Sequence, residues 1–120
     1  MHLVHATSVE IDGHAVLIRG PSGGGKSDLA LRLIDGGAVL VADDQTQLAA
    51  ENGRLFAACP PTIAGMMEVR GLGLVRLPHR DRAPVALAVD LIAAKEVERL
   101  PAPTMAVFLG IQVPRVALAA

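Results

Sequence analysis

The chain has 120 residues, of which 52% are hydrophobic and 19% charged, so it suits one domain with its own core and is not a disordered chain. Its 11 basic residues nearly balance 12 acidic ones, and Phe56 and Phe108 are its only Phe, Tyr or Trp residues, which argues against a surface for nucleic acid. One cysteine, Cys59, excludes a disulfide framework, and with no signal sequence or long apolar run we expect a cytoplasmic protein that does not bind a membrane.

Residues 1–45 are predicted to contain three strands and one helix. Residues 4–11 alternate imperfectly between apolar and polar side chains and end at Asp12-Gly13, a strong hairpin signal, so they are expected to pair with residues 15–18. A glycine-rich stretch follows, and then a helix that Gly36-Gly37 terminates. The apolar face of this helix consists of Leu29, Ala30, Leu33 and Ile34. Residues 38–42 are wholly apolar and are predicted to form a buried strand.

The rest of the chain is predicted to be mostly strand. Residues 46–50 and 54–58 flank Glu51-Asn52-Gly53 and are expected to form a hairpin, after which Pro60-Pro61 breaks the chain. We predict one helical turn at 62–66 and further strands at 74–77, 85–92, 105–109 and 116–119. Loops are predicted at 78–84 and 99–104, and the segment at 97–100 is ambiguous. Many strands with one clear helix predict a β-rich α/β domain and not a doubly wound sheet.

Residues 20–27 match the phosphate-binding pattern G-x-x-x-x-G-K-[ST] without a gap. These residues are Gly20, Pro21, Ser22, Gly23, Gly24, Gly25, Lys26 and Ser27. Small residues let successive backbone N–H groups converge on phosphate oxygens, Lys26 can reach the β- and γ-phosphates, and the Ser27 hydroxyl can bind Mg²⁺. The alternative is an accidental glycine-rich turn, but the motif follows a predicted strand and opens a predicted helix, which favours nucleotide binding.

Asp43 and Asp44 follow the buried strand at 38–42. A carboxylate at the end of a strand beside a phosphate-binding loop is a usual partner for Mg²⁺. Two adjacent carboxylates can have separate roles, because one can stay near the metal while the other accepts a proton from an attacking hydroxyl. The alternative is a solvated aspartate turn.

Other polar residues are less specific from first principles. Glu68 and Arg70 lie on one face of an extended segment before Gly71-Leu72-Gly73, which is equally typical of a surface ion pair. His5 lies in the first predicted strand, where a single histidine is more often a packed or exposed residue than a catalytic one.

The segments VHA, GPSGGGKS, LVADD and MEVRGLG occur in an order and at spacings that resemble the HPr kinase/phosphorylase family. The resemblance covers nearly the whole chain and implies a short form of the family's C-terminal catalytic domain, with a P-loop fold akin to phosphoenolpyruvate carboxykinase. It implies an enzyme that uses ATP and magnesium to phosphorylate a seryl hydroxyl of HPr, a phosphocarrier of the sugar phosphotransferase system. Family members also reverse this reaction by phosphorolysis.

The resemblance also implies roles for individual residues. Lys26 would hold the transferring phosphoryl group, and Ser27 and Glu68 would bind magnesium, with Asp43 on the metal side. Asp44 would be the base for phosphorylation and the acid for the reverse reaction. His5 would set the environment of Asp44, and Arg70 belongs to a segment used in both directions.

The pattern departs from the family at both ends. Residues 1–120 are expected to form a single catalytic domain without the family's N-terminal regulatory domain. A C-terminal segment that supplies a catalytic arginine is also expected to be absent, since Arg115 does not match that arginine, and this leaves phosphorolysis open. The resemblance implies a homo-oligomer, often hexameric. Two other functions remain open, a nucleotide- or phosphate-sensing module with little transfer activity and a kinase of small molecules.

Overall fold

The computed structural model describes residues 2–23, 25–99 and 102–120. Its strands are β1 (His2–Val4), β2 (Ala6–Ile11), β3 (His14–Arg19), β4 (Val39–Ala42), β5 (Thr46–Glu51), β6 (Arg54–Ala58), β7 (Met66–Val69), β8 (Gly73–Arg76), β9 (Arg82–Ile92), β10 (Thr104–Phe108) and β11 (Ile111–Ala119). The helix α1 spans Lys26–Asp35, and short 3₁₀ turns lie at Pro61–Ile63 and Ala94–Glu96. The prediction of a β-rich α/β domain with one α-helix is confirmed for the described residues.

Nine of these strands form one mixed sheet, and β7 pairs with β8 in a separate hairpin. The main path of the sheet runs β1-β5-β6-β9-β3-β2-β4. The long strand β9 pairs with β6 through its first residues, while its last residues pair in parallel with β11, which in turn pairs with β10. The sheet therefore branches at β9.

Strand direction brings several chain segments to one edge of the sheet. β3 runs parallel to β9, and β2 is antiparallel to both β3 and β4. The carboxyl ends of β3, β4 and β9 consequently lie at the same edge as the amino end of β2. This edge carries the residues that follow β3 and β4 and those that precede β2.

Hydrophobic side chains pack on both faces of the sheet. On one face α1 covers the sheet, and the buried cluster there includes Ala30 of the helix and Met67 of β7. The opposite face holds a second cluster around Leu17, Leu48 and Phe108. Because the sheet is buried on both sides, β3 and β4 have the nearly continuous apolar sequences that predicted them.

Several predicted boundaries are wrong. The strand predicted at 4–11 is two strands, because the chain bends at His5 between β1 and β2. β9 begins at Arg82, inside the predicted loop at 78–84, and β11 begins at Ile111, well before residue 116, since both gain strand partners from distant parts of the chain.

Two short segments around residues 62–66 and 97–100 also have a structure that the sequence predicts only in part. The helical turn is limited to Pro61–Ile63, and Met66 already belongs to β7. Residues 97–99 are not helical, and Leu100 and Pro101 lie outside the described residues. Within the described part of the chain, no helix is long and apolar enough to cross a membrane.

Candidate functional site

The glycine-rich loop connects the carboxyl end of β3 to the first turn of α1, as the motif predicts. Gly25 caps the helix with φ 97°, a left-handed conformation that favours glycine, and its carbonyl accepts the Leu29 N–H at 2.9 Å. A Cβ atom at Gly20 would lie 3.2 Å from Leu91 Cβ, so the start of the loop packs closely on β9. Gly24 lies outside the described residues. The loop therefore presents the amino end of α1, with its partial positive charge, to the edge of the sheet.

Lys26 is folded back over this loop. Its Nζ donates hydrogen bonds to the carbonyl oxygens of Gly20 at 3.1 Å and Pro21 at 3.2 Å, and the residue is only 5% exposed. An ammonium group has three N–H donors, so one remains for an anion in the adjoining cleft. The buried charge is thus fixed at the position where a phosphate group would meet the helix amino end.

Asp43 is the centre of the local hydrogen-bonding network. Its Oδ1 accepts from the hydroxyl of Ser27 at 2.7 Å and from the hydroxyl of Thr7 at 3.1 Å, and its Oδ2 accepts from the Glu68 backbone N–H at 3.2 Å. The residue is 9% exposed. Asp43 therefore links α1, β2 and β7, and its carboxylate is held firmly beside the Ser27 hydroxyl.

Asp44 has an exposed side chain on an unusual backbone. Its φ is 67°, and the Gln45 N–H donates to the Asp43 carbonyl at 2.8 Å, which closes a tight turn around Asp44. The only hydrogen bond that the structure gives to its carboxylate, among the described residues, comes from His5, whose Nε2 lies 2.6 Å from Oδ1. The two side chains are 60% and 47% exposed, so this pair meets solvent at the mouth of the cleft.

The β7–β8 hairpin forms the opposite wall. Glu68 lies in β7 and Arg70 in the turn that follows, and both side chains are exposed and line the cleft. The hairpin is fixed in position by Met67, which is buried under α1, and by the bond between the Glu68 backbone and Asp43. Glu68 reaches the site although 42 residues separate it from Lys26 in the chain.

The cleft enclosed by these segments has a volume of about 370 Å³. The charged residues that line it are Asp28, Asp43, Asp44, Glu68, Lys26 and Arg70. Carboxylates outnumber cations here, so a polyphosphate would enter far more readily together with a divalent cation that offsets the negative charge.

The donors present suit Mg²⁺. In the described residues no group of three or more His, Cys, Asp or Glu side chains is arranged to hold a metal by itself. Mg²⁺ is usually bound through one or two carboxylates together with substrate phosphates and water. Ser27, Asp43 and Glu68 line the cleft, and their side chains carry oxygen donors of this kind.

The structure brings together the residues singled out from the sequence. Lys26, Ser27, Asp43, Asp44, Glu68 and Arg70 share the cleft, and His5 contacts Asp44. Sequence reasoning missed Thr7, which bonds to both aspartates, and Asp28, in the first turn of α1. Asp28 directly follows the phosphate-binding motif and could have been noticed there, whereas a buried threonine in a strand carries no such signal.

Comparison with known proteins gives one consistent result. The family model of the HPr serine kinase C-terminal domain matches residues 1–119. The chain is 40% identical over 109 residues to the HPr kinase/phosphorylase of Bordetella petrii, covering 82% of this chain and 35% of that protein. It is 44% identical over 75 residues to the HPr kinase/phosphorylase of Clostridium tetani, covering 62% of this chain and 25% of that protein.

A solved structure is also similar. The Hpr(Ser) kinase/phosphatase from Coxiella burnetii superposes with a TM-score of 0.91 at 30% sequence identity, covering 100% of this chain and 87% of that one. The chain thus matches most of the solved structure but spans only about a quarter to a third of the length of the curated relatives described above.

Proposed function

The chain belongs to the HPr serine kinase C-terminal domain family, and we propose that it is an ATP- and Mg²⁺-dependent protein kinase acting on a seryl hydroxyl. We propose HPr, or a similar phosphocarrier of the sugar phosphotransferase system, as its substrate. The observation that carries the proposal is the meeting of Lys26, Asp43 and Asp44 in one cleft beside the amino end of α1. We further propose that the domain shares the P-loop fold of phosphoenolpyruvate carboxykinase.

The glycine-rich loop and Lys26 would bind the phosphates of ATP. The first residues of α1 line the cleft, and backbone N–H groups at a helix amino end would supply hydrogen bonds and a partial positive charge without any side chain. Lys26 would add a full charge that is already desolvated, and its hydrogen bonds to the loop carbonyls hold that charge in place. These groups would stabilise the charge that develops as the phosphoryl group transfers.

Ser27, Asp43 and Glu68 would hold Mg²⁺ with the nucleotide. When bound, the cation neutralises the phosphate oxygens and orients the phosphoryl group for in-line attack. The three donors come from α1, the end of β4 and β7, and the shared bonds through Asp43 keep them together in the structure.

Asp44 would act as the base. The seryl oxygen would bond to the γ-phosphorus while its proton passes to the Asp44 carboxylate and the bond to the β-phosphate oxygen breaks, releasing ADP. His5 donates to the same carboxylate and would keep it oriented. In phosphorolysis, an oxygen of inorganic phosphate would bond to the phosphorus of phosphoserine while the bond to the seryl oxygen breaks. The protonated Asp44 would give its proton to that seryl oxygen, and pyrophosphate would be released. Arg70, on the facing wall, would contact phosphate in both directions.

Incubation of the purified chain with γ-labelled ATP, Mg²⁺ and HPr tests this proposal. We expect labelled phosphoserine on HPr that depends on both Mg²⁺ and the carrier. ATP binding with no transfer to HPr, at equal protein concentrations, would instead favour a nucleotide-sensing module. Transfer only to a small molecule would assign a different kinase activity.

We also propose that the protein is a homo-oligomer. Met105, Val107, Val116 and Leu118 are 41–62% exposed on the β10–β11 hairpin, and such an apolar patch favours contact with another protein surface. Light scattering after size-exclusion chromatography should give a mass of at least two copies of the 12.4 kDa chain. A monomeric mass at micromolar concentration would refute this part of the proposal.

A further inference from the structure

Thr7 is a fully buried polar residue next to the reactive edge of the sheet. It is the second residue of β2 and is 0% exposed. A buried hydroxyl has to form hydrogen bonds, because an unpaired one loses its interactions with water without replacement. Its partners therefore indicate what the residue contributes.

The Thr7 hydroxyl bonds to both aspartates at the end of β4. It donates to Asp43 Oδ1 at 3.1 Å and accepts the backbone N–H of Asp44 at 3.0 Å. A hydroxyl has one donor and two acceptor sites, and a carboxylate can only accept while an N–H can only donate, so the direction of both bonds is fixed. One atom thus connects the side chain of Asp43 to the backbone of Asp44.

This connection supports a strained turn. Asp44 has φ 67°, a conformation that non-glycine residues adopt rarely and that persists where the surroundings enforce it. The hydrogen bond between His5 and Asp44 joins two exposed side chains, so it acts on the carboxylate and does not restrain the backbone of the turn. Two hydrogen bonds restrain the backbone of the turn instead. The Gln45 N–H donates to the Asp43 carbonyl, and the Asp44 N–H donates to the buried Thr7 hydroxyl.

We propose that Thr7 is a positioning residue for phosphoryl transfer, which orients the Asp44 carboxylate by fixing the backbone of Asp44 and the side chain of Asp43. This inference rests on the proposed kinase function. Thr7 is fully buried and is not one of the residues that line the cleft, so its effect would pass through the two aspartates. Removal of its hydroxyl should therefore reduce turnover far more than nucleotide binding.

Thr7→Val tests this, because valine keeps the shape and removes both hydrogen bonds. We expect kcat to fall about 10–100-fold, as is typical when the partner of a catalytic or metal-binding group is removed, while KM for ATP changes less than about threefold. Thr7→Ser retains the hydroxyl and should restore kcat to within about threefold of the parent. An unchanged kcat in Thr7→Val, or no rescue by Thr7→Ser, would overturn the proposal.

Thr46→Val is the matched control. Thr46 is also 0% exposed, and its hydroxyl donates to the Ala6 carbonyl and shares a hydrogen bond with Ser8, so it bonds to neither aspartate. We expect a fall in melting temperature similar to that of Thr7→Val, with kcat retained. Equal losses of kcat in both variants would assign Thr7 a purely structural role. If Thr7→Val does not fold, Thr7→Ala takes its place.

Amide hydrogen exchange separates failure of this proposal from failure of the proposed function. The Asp44 amide is expected to exchange at least about tenfold faster in Thr7→Val than in the parent or Thr7→Ser, measured by NMR without substrate. If the parent transfers no phosphate to a seryl protein, the kinase proposal fails, and exchange alone then decides whether Thr7 fixes this turn. Equal exchange in all three proteins would refute the role of Thr7.

Discussion

Replacement of Asp44 by asparagine is expected to slow phosphoryl transfer about 10²–10⁴-fold and leave the fold intact. Asparagine has nearly the same size but cannot accept the seryl proton, and loss of a general base typically has an effect of that order. This corresponds to about 2.7–5.4 kcal/mol in activation free energy. The affinity for ATP should be unchanged or higher, because a negative charge beside the phosphates is removed.

The stability of Asp44→Asn should stay close to that of the parent. Asparagine tolerates the left-handed backbone at φ 67° about as well as aspartate does. The hydrogen bond to His5 is between side chains that are 47% and 60% exposed, so even its complete loss would change the free energy of unfolding by at most about 1 kcal/mol. Urea denaturation would measure this difference.

Asp12→Asn provides a control with the same chemistry elsewhere. Asp12 also has a positive φ, 50°, and is exposed in the β2–β3 turn, away from the cleft. Single-turnover transfer from labelled ATP to HPr gives the rate, and titration calorimetry gives ATP affinity on the same preparations. If Asp44→Asn transfers phosphate as fast as Asp12→Asn, Asp44 is not the base. If it fails to bind ATP, its role is structural.

Three further expectations concern charge. Lys26→Ala should weaken ATP binding about 10–100-fold, because a hydrogen bond to a charged group contributes about 1.5–3 kcal/mol. Titration calorimetry measures this, with the exposed Lys95→Ala as the control. Equal ATP affinity in the two variants would contradict the expectation. Glu68→Gln should raise the Mg²⁺ concentration needed for half-maximal activity about tenfold. The fold should survive, because only the backbone of Glu68 bonds to Asp43. If Glu68→Gln and the control Glu98→Gln need the same Mg²⁺ concentration, Glu68 is an ordinary surface residue. Burial tends to raise the pKa of Asp90, but hydrogen bonds from Arg19 and Arg115 hold that pKa below its usual value. A carboxyl group whose pKa is lowered by folding stabilises the folded state at pH values above its unfolded-state pKa of about 3.9, and this stabilisation is lost as the pH falls toward the lower folded-state pKa. Asp90→Asn should therefore reduce the slope of the unfolding free energy against pH in that range. An unchanged slope would contradict this expectation.

Local signals in the sequence were sufficient for the elements that depend on near neighbours. The strand β3, the glycine-rich loop and α1 follow one another within about 20 residues, and each has its own pattern. The turns at Asp12-Gly13 and Asn52-Gly53 were predicted for the same reason, since the backbone at these positions has positive φ that only a few residue types adopt readily.

The candidate site was only partly accessible in this way. Lys26 and Ser27 were evident from spacing, and Asp43 and Asp44 from their place after a buried strand. Only the family resemblance singles out Glu68 and His5 as candidate site residues, because neither has a local pattern that distinguishes it from an ordinary surface or strand residue. Their proposed roles remain predictions, although the structure places Glu68 in the cleft and His5 in contact with Asp44.

The sequence by itself therefore determined the local elements and the phosphate-binding loop, and the tertiary structure decided what surrounds that loop. His5 meets Asp44 across 39 residues, and Thr7 meets Asp43 across 36, because β2 runs antiparallel to β4 and its amino end lies beside the carboxyl end of β4. The extended β9 and β11 likewise depend on partners far away in the chain. Contacts of this kind arise from strand order and direction, which no window of neighbouring residues encodes.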